Sequence, residues 1–240
     1  MRVEISVETI AGVGIAAEAG ADRVELCTGL ADGGLTPSAA LIEQAVTAPI
    51  EVHVLIRPRP GDFQYTPDEI SLMLRDIDVA RAAGAAGIVV GALDFAGFVD
   101  PVCAQFVEAA AAMQTTFHRA IDVSASSEST LDSVISLGFD RVLTSGRERA
   151  VLDGAPLIRS LVAQADGRIE VMACGGVRAG NAVQVIEATG VSDLHAAVRA
   201  PVRGVSGAEV LFAGVGVPDG FDRFETDADG VAALCSIIRA

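Results

Sequence analysis

Short runs of apolar residues recur along the whole chain, each followed by a longer stretch with helical spacing of its hydrophobic positions. Four of the helical stretches close on the same punctuation: Ala19-Gly20-Ala21-Asp22-Arg23, Ala83-Gly84-Ala85, Leu137-Gly138-Phe139-Asp140-Arg141 and Thr189-Gly190-Val191-Ser192-Asp193. A glycine just past a helix takes the left-handed turn that a side chain resists, and the apolar residues behind it re-enter a sheet. These glycines lie roughly 50–65 residues apart, room for two strand–helix units each time. Four more apolar runs lie between them, at 3–7, 50–56, 115–120 and 169–173. Eight strands alternating with helices predict a single α/β domain, a (β/α)8 TIM barrel whose working surface is the C-terminal ends of its strands.

The pattern predicts strands at 2–7, 23–27, 51–56, 88–91, 115–118, 141–144, 169–173 and 193–196. Helices are expected at 8–19, from Thr36 or Ser38 to before Pro49, from Thr66-Pro67-Asp68-Glu69 onward, from about Pro101, and at 127–137, 154–165, 178–189 and 230–239. A long segment at about 201–228 precedes the last helix and exceeds ordinary connection lengths, which suggests a lid or an oligomer contact.

Composition narrows the chemistry. The chain is 240 residues long and 51% hydrophobic, enough for one barrel domain with a large core. No apolar run is long enough to span a bilayer, and Met1-Arg2-Val3 leads directly into the first strand without a signal-peptide core, so the expected location is the cytoplasm. A net charge of −15 argues against nucleic acid and against an anionic membrane as partners. Every basic residue is Arg, so lysine Schiff-base chemistry, including lysine-bound pyridoxal phosphate, is excluded. Four scattered cysteines, Cys27, Cys103, Cys174 and Cys235, contain no C-x-x-C pair and argue against a disulfide framework.

Strand ends that should be apolar are polar instead. Strand 1 carries Glu4 and Ser6, and strand 2 carries Glu25 and Cys27, each pair of one parity and so facing one side. Arg57 ends strand 3, His118 and Asp122 end strand 5, Ser145 follows strand 6 and His195 lies in strand 8. Together they form a candidate site for a small anionic molecule. Glu25, His118 and Asp122 offer an acid–base set or oxygen and nitrogen metal ligands, with Arg57 as anion clamp. Arg119, Ser145 and His195 join the substrate-binding candidates. Gly175 and Gly176, expected to open the seventh helix, offer backbone amides for a phosphate.

Ala21-Asp22-Arg23-Val24-Glu25-Leu26-Cys27, Gly33-Gly34-Leu35-Thr36-Pro37-Ser38, Ile56-Arg57-Pro58-Arg59, Thr116-Phe117-His118-Arg119-Ala120 and Arg141-Val142-Leu143-Thr144-Ser145-Gly146 resemble the copper homeostasis protein CutC family, in order over about 200 residues. The resemblance implies a cytoplasmic (β/α)8 barrel, often a homo-oligomer, with copper as Cu(I) bound at Cys27. This chain has Ser6 where some relatives carry a second cysteine beside Cys27. It reads His195-Ala196-Ala197-Val198-Arg199 where the family tends to carry a hydroxyl after the histidine, which argues against a phosphate there. Two readings result, a copper-binding protein and an enzyme doing acid–base chemistry at the barrel mouth.

Overall fold

Eight parallel strands close on themselves, β1 (Arg2–Val7), β2 (Arg23–Leu26), β3 (Glu51–Leu55), β4 (Gly87–Val90), β5 (Gln114–Phe117), β6 (Arg141–Thr144), β7 (Glu170–Ala173) and β8 (Asp193–Ala196). β1 pairs with both β2 and β8, which seals the ring. The computed structural model describes residues 1–204 and 216–239. The helices between the strands are α1 (Ile10–Ala19), α2 (Ala39–Ala45), α3 (Pro67–Ala83), α4 (Cys103–Ala110), α5 (Ser127–Leu137), α6 (Ala155–Ala165) and α7 (Ala182–Thr189), with α8 (Ala228–Arg239) last.

Local chemistry explains the boundaries. Gly20, Gly84, Gly138 and Gly190 all adopt the left-handed conformation that closes α1, α3, α5 and α7. Ser38 rather than Thr36 caps α2, through Leu41 N–H. Thr66 and Glu69 form a reciprocal capping box at the start of α3.

Strand parity divides the barrel into two environments. Val3, Ile5, Val24, Leu26, Val52, Val54, Ile88, Val90, Val142 and Leu194 point outward into the main hydrophobic core beneath the helices. The opposite parity fills the interior with charged and polar side chains, among them Glu4, Arg23, His53, Thr116, Arg141 and Asp193, all buried. Gly87 on β4 leaves room for the His53 ring, because a Cβ there would meet its Cε1 at 2.6 Å.

Two expectations need correction. α7 starts at Ala182, so Gly175 and Gly176 form a left-handed turn of their own and do not open the helix. The segment expected as one long connection is partly ordered sheet. Its ends pair as the antiparallel strands β9 (Arg199–Val202) and β10 (Arg223–Thr226), and its middle, 205–215, lies outside the described residues. Pro201 faces Phe224 in this two-stranded ribbon, where a missing N–H is tolerated at an edge.

Candidate functional site

A chain of ion pairs runs up the barrel axis. Arg23 Nε donates to Glu4 Oε2 at 2.6 Å, and its Nη2 donates to Asp193 Oδ2 at 2.7 Å. Arg141 Nε meets the same Asp193 oxygen at 3.0 Å and reaches Thr116 Oγ1 through Nη1. The sheet register sets this up, since Glu4 lies opposite both Arg23 on β2 and His195 on β8. Charges this deep are tolerable only when paired.

The upper end of the chain is a proton-bearing pair. His195 Nδ1 donates to Glu4 Oε1 at 2.7 Å, and its Nε2 lies 3.8 Å from Glu25 Oε2. Ser6 Oγ donates to the same Glu25 oxygen at 2.9 Å. Burial pushes the Glu4 carboxyl up, but Arg23 and the His195 hydrogen bond outweigh it and hold it well below the usual carboxylate range. Burial pushes Glu25 up; nearby His195 opposes this, Glu4 adds to it, and the net is a raised carboxyl. Burial lowers His195, yet Glu25 and the Glu4 hydrogen bond outweigh it and the imidazole is raised. Glu4 therefore fixes the His195 tautomer with Nε2 on the side of Glu25. Two adjacent groups pushed up toward neutrality are equipped to trade a proton.

Glu25 and His195 open into a cavity of about 430 Å³ at the C-terminal ends of the strands, also lined by Arg57, Phe63, His118, Arg119, Asp122, Leu143 and Arg199. On its β3 and β5 walls, Arg57 is a buried loop staple. Its Nη1 donates to the carbonyls of Asp32 and Gly34 and its Nη2 to that of Gly61. Carbonyls do not cancel its charge. His118 packs on Phe63 with ring centroids 4.6 Å apart, and burial plus Arg57 lowers its imidazole to about 3, so it stays neutral. Asp122 accepts from Thr144 Oγ1 at 2.5 Å and from the N–H groups of Ser145 and Arg147. Arg119 Nε donates to Asp122 as well, and Arg119 Nη2 donates to Ser145 Oγ at 2.6 Å. A second concavity, about 470 Å³ at the opposite end around Asp22 and Glu51, carries no comparable set.

Residues 1–200 match the family model described as the CutC family. The chain belongs to the CutC family. A CutC protein from Pasteurella multocida is 45% identical over 197 residues, covering 81% of each chain. One from Caulobacter vibrioides is 41% identical over 239 residues, 99% of this chain and 97% of the relative. The crystal structure of a Streptococcus agalactiae CutC, named there for copper homeostasis, superposes with a TM-score of 0.77 at 33% identity, covering 81% of this chain and 97% of that one. A Thermotoga maritima phosphoribosylanthranilate isomerase matches at a TM-score of 0.59 with 15% identity, a likeness of fold alone.

Within this CutC chain the cavity gathers Glu25, Arg57, His118, Arg119, Asp122 and His195, while Ser145 lies behind it, against Asp122 and Arg119. Gly175 and Gly176 do not line it; the Gly175 carbonyl accepts from Val151 N–H. Cys27 is fully buried, 3.6 Å from Ser6 Oγ and packed with Leu55 and Val89, and burial pushes its thiol well up. Among the described residues no group of three or more His, Cys, Asp or Glu side chains could hold a metal ion. The surroundings of Cys27 therefore do not fit a thiolate copper centre, which needs further soft ligands and a deprotonated sulfur. The sequence reading missed Arg199, which lines the cavity from β9 and pairs with Glu8 at 3.4 Å. It also missed Arg23 as the partner of Glu4, although Arg23 shares strand parity with Glu25.

Glu25 stores a measurable cost. A carboxyl raised on folding contributes stability below its ordinary 4.5 and loses it as pH rises through the folded value. Glu25→Gln mimics the protonated form and is expected to stabilise the fold by about 0.5–2 kcal/mol at pH 8, the gain fading below pH 4.5. Urea unfolding at the two pH values measures it; equal stability of wild type and variant at pH 8 would contradict the buried, raised carboxyl.

Proposed function

We propose that this chain is an enzyme of the barrel mouth that binds a small anionic molecule and moves a proton on it through Glu25 and His195. The observation that carries this reading is the Glu4–His195–Glu25 arrangement, with His195 Nδ1 held at 2.7 Å by one carboxylate and Nε2 turned to a second. A base, an orienting acid and a neighbouring proton carrier are the parts that general acid–base catalysis needs. Arg57, Arg119 and Arg199 supply positive charge around the cavity of a chain whose net charge is −15. Asp122, with its oxygens engaged by five donors from Arg119, Thr144, Ser145 and Arg147, serves as a positioning residue that ties the β5 and β6 loops together. His118, held neutral, leaves proton movement to the opposite wall.

A titration of isotope-labelled imidazoles by NMR tests this. His195 is expected to titrate above the ordinary 6.5 and to fall back in Glu4→Gln, with His118 neutral throughout the folded range. A His195 that is uncharged from pH 5 upward would sink the proton relay.

Copper handling is the second reading, supported by the copper-homeostasis name of the Streptococcus agalactiae relative and by the buried free thiol of Cys27 beside Ser6. Reduced protein titrated with Cu(I) against a chelator of known affinity decides it. One-to-one binding that disappears in Cys27→Ala would establish it; binding indifferent to Cys27 would remove it. Cytoplasmic location and homo-oligomerisation rest on the family resemblance. No described helix is long and apolar enough to cross a membrane.

A further inference from the structure

Two buried N–H donors belong to residues that line the cavity beyond β3 and β5, and neither has a partner among the described residues. The Ala120 N–H donates to His118 Nδ1 at 3.3 Å, so the ring proton resides on Nε2. That Nε2 is buried with no partner among the described residues. Arg57 spends Nη1 and Nη2 on loop carbonyls, and its Nε is likewise buried and unpartnered. His118 is 4% exposed and Arg57 6%. Both line the same cavity and both rest on the Phe63 ring, with Arg57 Cζ 5.3 Å from its centroid. A buried donor without an acceptor costs about 1–3 kcal/mol, so two of them at one wall are a standing demand for an acceptor oxygen.

The surroundings narrow which oxygen. Both orphaned atoms are N–H donors, and the Asp122 carboxylate that also lines the cavity is already engaged by Arg119, Thr144 and Ser145. A phosphate asks for a denser cradle of amides; Gly175-Gly176 does not line the cavity, and the amides of Gly33-Gly34 at its rim are spent on the Leu30 and Gly29 carbonyls. One neutral and one charged N–H suit a planar oxygen that gains negative charge during reaction. β5, which delivers His118, stands across the eight-strand ring from β1, and Glu25 and His195 lie on the strands flanking β1.

We propose that His118 Nε2–H and Arg57 Nε–H form an oxyanion subsite for the carbonyl oxygen of a small carbonyl acid bearing an α-hydrogen, the substrate class of the Glu25–His195 pair. This rests on the proton-transfer reading above. The α C–H bond breaks and its proton goes to the Glu25 carboxylate. The released electron pair becomes the new C=C bond, and the carbonyl π pair moves onto the oxygen, which the two N–H groups hold as an enolate. Return of a proton, from Glu25 or from the His195 imidazolium, gives the isomer or epimer. No oxidant or reductant enters. A neutral His118 suits this role, because it donates a hydrogen bond and keeps its proton.

Oxalate, a planar dianion that mimics such an enolate, is the probe. Saturating imidazole-labelled wild type with oxalate is expected to move the His118 Nε2–H resonance downfield. Arg57→Lys, which keeps the charge and removes Nε–H, is expected to weaken oxalate about 10- to 100-fold. Inorganic phosphate at the same concentration is expected to leave the His118 signal in place. Absence of oxalate binding, binding with an unmoved His118 signal, or an equal shift with phosphate would each overturn the subsite. The wild-type spectrum carries the test even where a variant folds poorly. The His195 titration is read separately in the same sample: a raised His195 with an unmoved His118 overturns the subsite alone, and a shifted His118 with an uncharged His195 overturns the relay alone.

Discussion

Replacing Arg23 with methionine is expected to lower stability by about 3–5 kcal/mol, the cost of leaving buried charge without its partner. Arg23 is 1% exposed and bridges Glu4 and Asp193 at 2.6 and 2.7 Å, while Nη2 also touches Met172 Sδ at 3.0 Å. Asp193 keeps Arg141 after the change, but Glu4 keeps only His195. At roughly 2–4 °C per kcal/mol for a chain of this size, the melting temperature falls by roughly 6–20 °C. The sign of the pH dependence follows from Glu4. A carboxyl depressed on folding contributes stability that is present above its ordinary 4.5 and is lost as pH falls toward the folded value. The wild type should therefore weaken below pH 4.5, and Arg23→Met should flatten that acid limb. Adding Glu4→Gln should recover part of the loss, because it removes the orphaned charge. Thermal melts of the two variants at pH 4 and pH 7 measure this. A loss under 1 kcal/mol in Arg23→Met would mean that water, and not Arg23, solvates Glu4.

The fold was legible because its punctuation is local. Gly20, Gly84, Gly138 and Gly190 each do one conformational job that the chemistry of glycine announces, and the strands behind them follow. The β9–β10 ribbon was not legible, since Pro201 argues against a strand and an edge position cannot be read from neighbours in sequence. The pattern places the start of α7 too early, although Asn181 is an N-cap residue type: its side chain turns back to Arg178 N–H and the Gly176 carbonyl, and holds 176–181 as a turn outside the helix. The site was legible one wall at a time. Strand parity sends Glu4 and Glu25 to the interior, but the pairing of His195 with Glu4 depends on the β1–β8 register, which barrel closure sets. The β5–β6 pairing likewise brings Thr144 and Ser145 onto the Asp122 carboxylate, a contact that no spacing along the chain reveals.

Glu25→Gln is expected to abolish proton transfer at the cavity, with a loss of about 10²- to 10⁴-fold in the exchange of an α-hydrogen into deuterated water. Glu25 is the one carboxylate of the pair exposed to the cavity, since Glu4 is fully buried and engaged by Arg23 and His195. Glutamine keeps the shape and can still receive the Ser6 hydrogen bond, so the variant removes the base and little else. His195→Gln should lose a similar factor where His195 returns the proton, and the double variant should be little worse than either alone, as groups acting as one unit are not additive. Proton NMR of small 2-oxo acids incubated with each variant in deuterated buffer gives the rates. The dependence on pH adds a second reading. Where His195 returns the proton, exchange needs Glu25 ionised and His195 protonated; both are raised above their ordinary 4.5 and 6.5, so the rate should rise as Glu25 ionises and fall as His195 loses its proton, both limbs displaced upward from the ordinary values. Loss of the alkaline limb in His195→Gln, with the acid limb retained, would assign the proton return to His195. A rate unchanged in Glu25→Gln would move the chemistry off this wall, because among the described residues the other carboxylate lining the cavity, Asp122, is paired with Arg119.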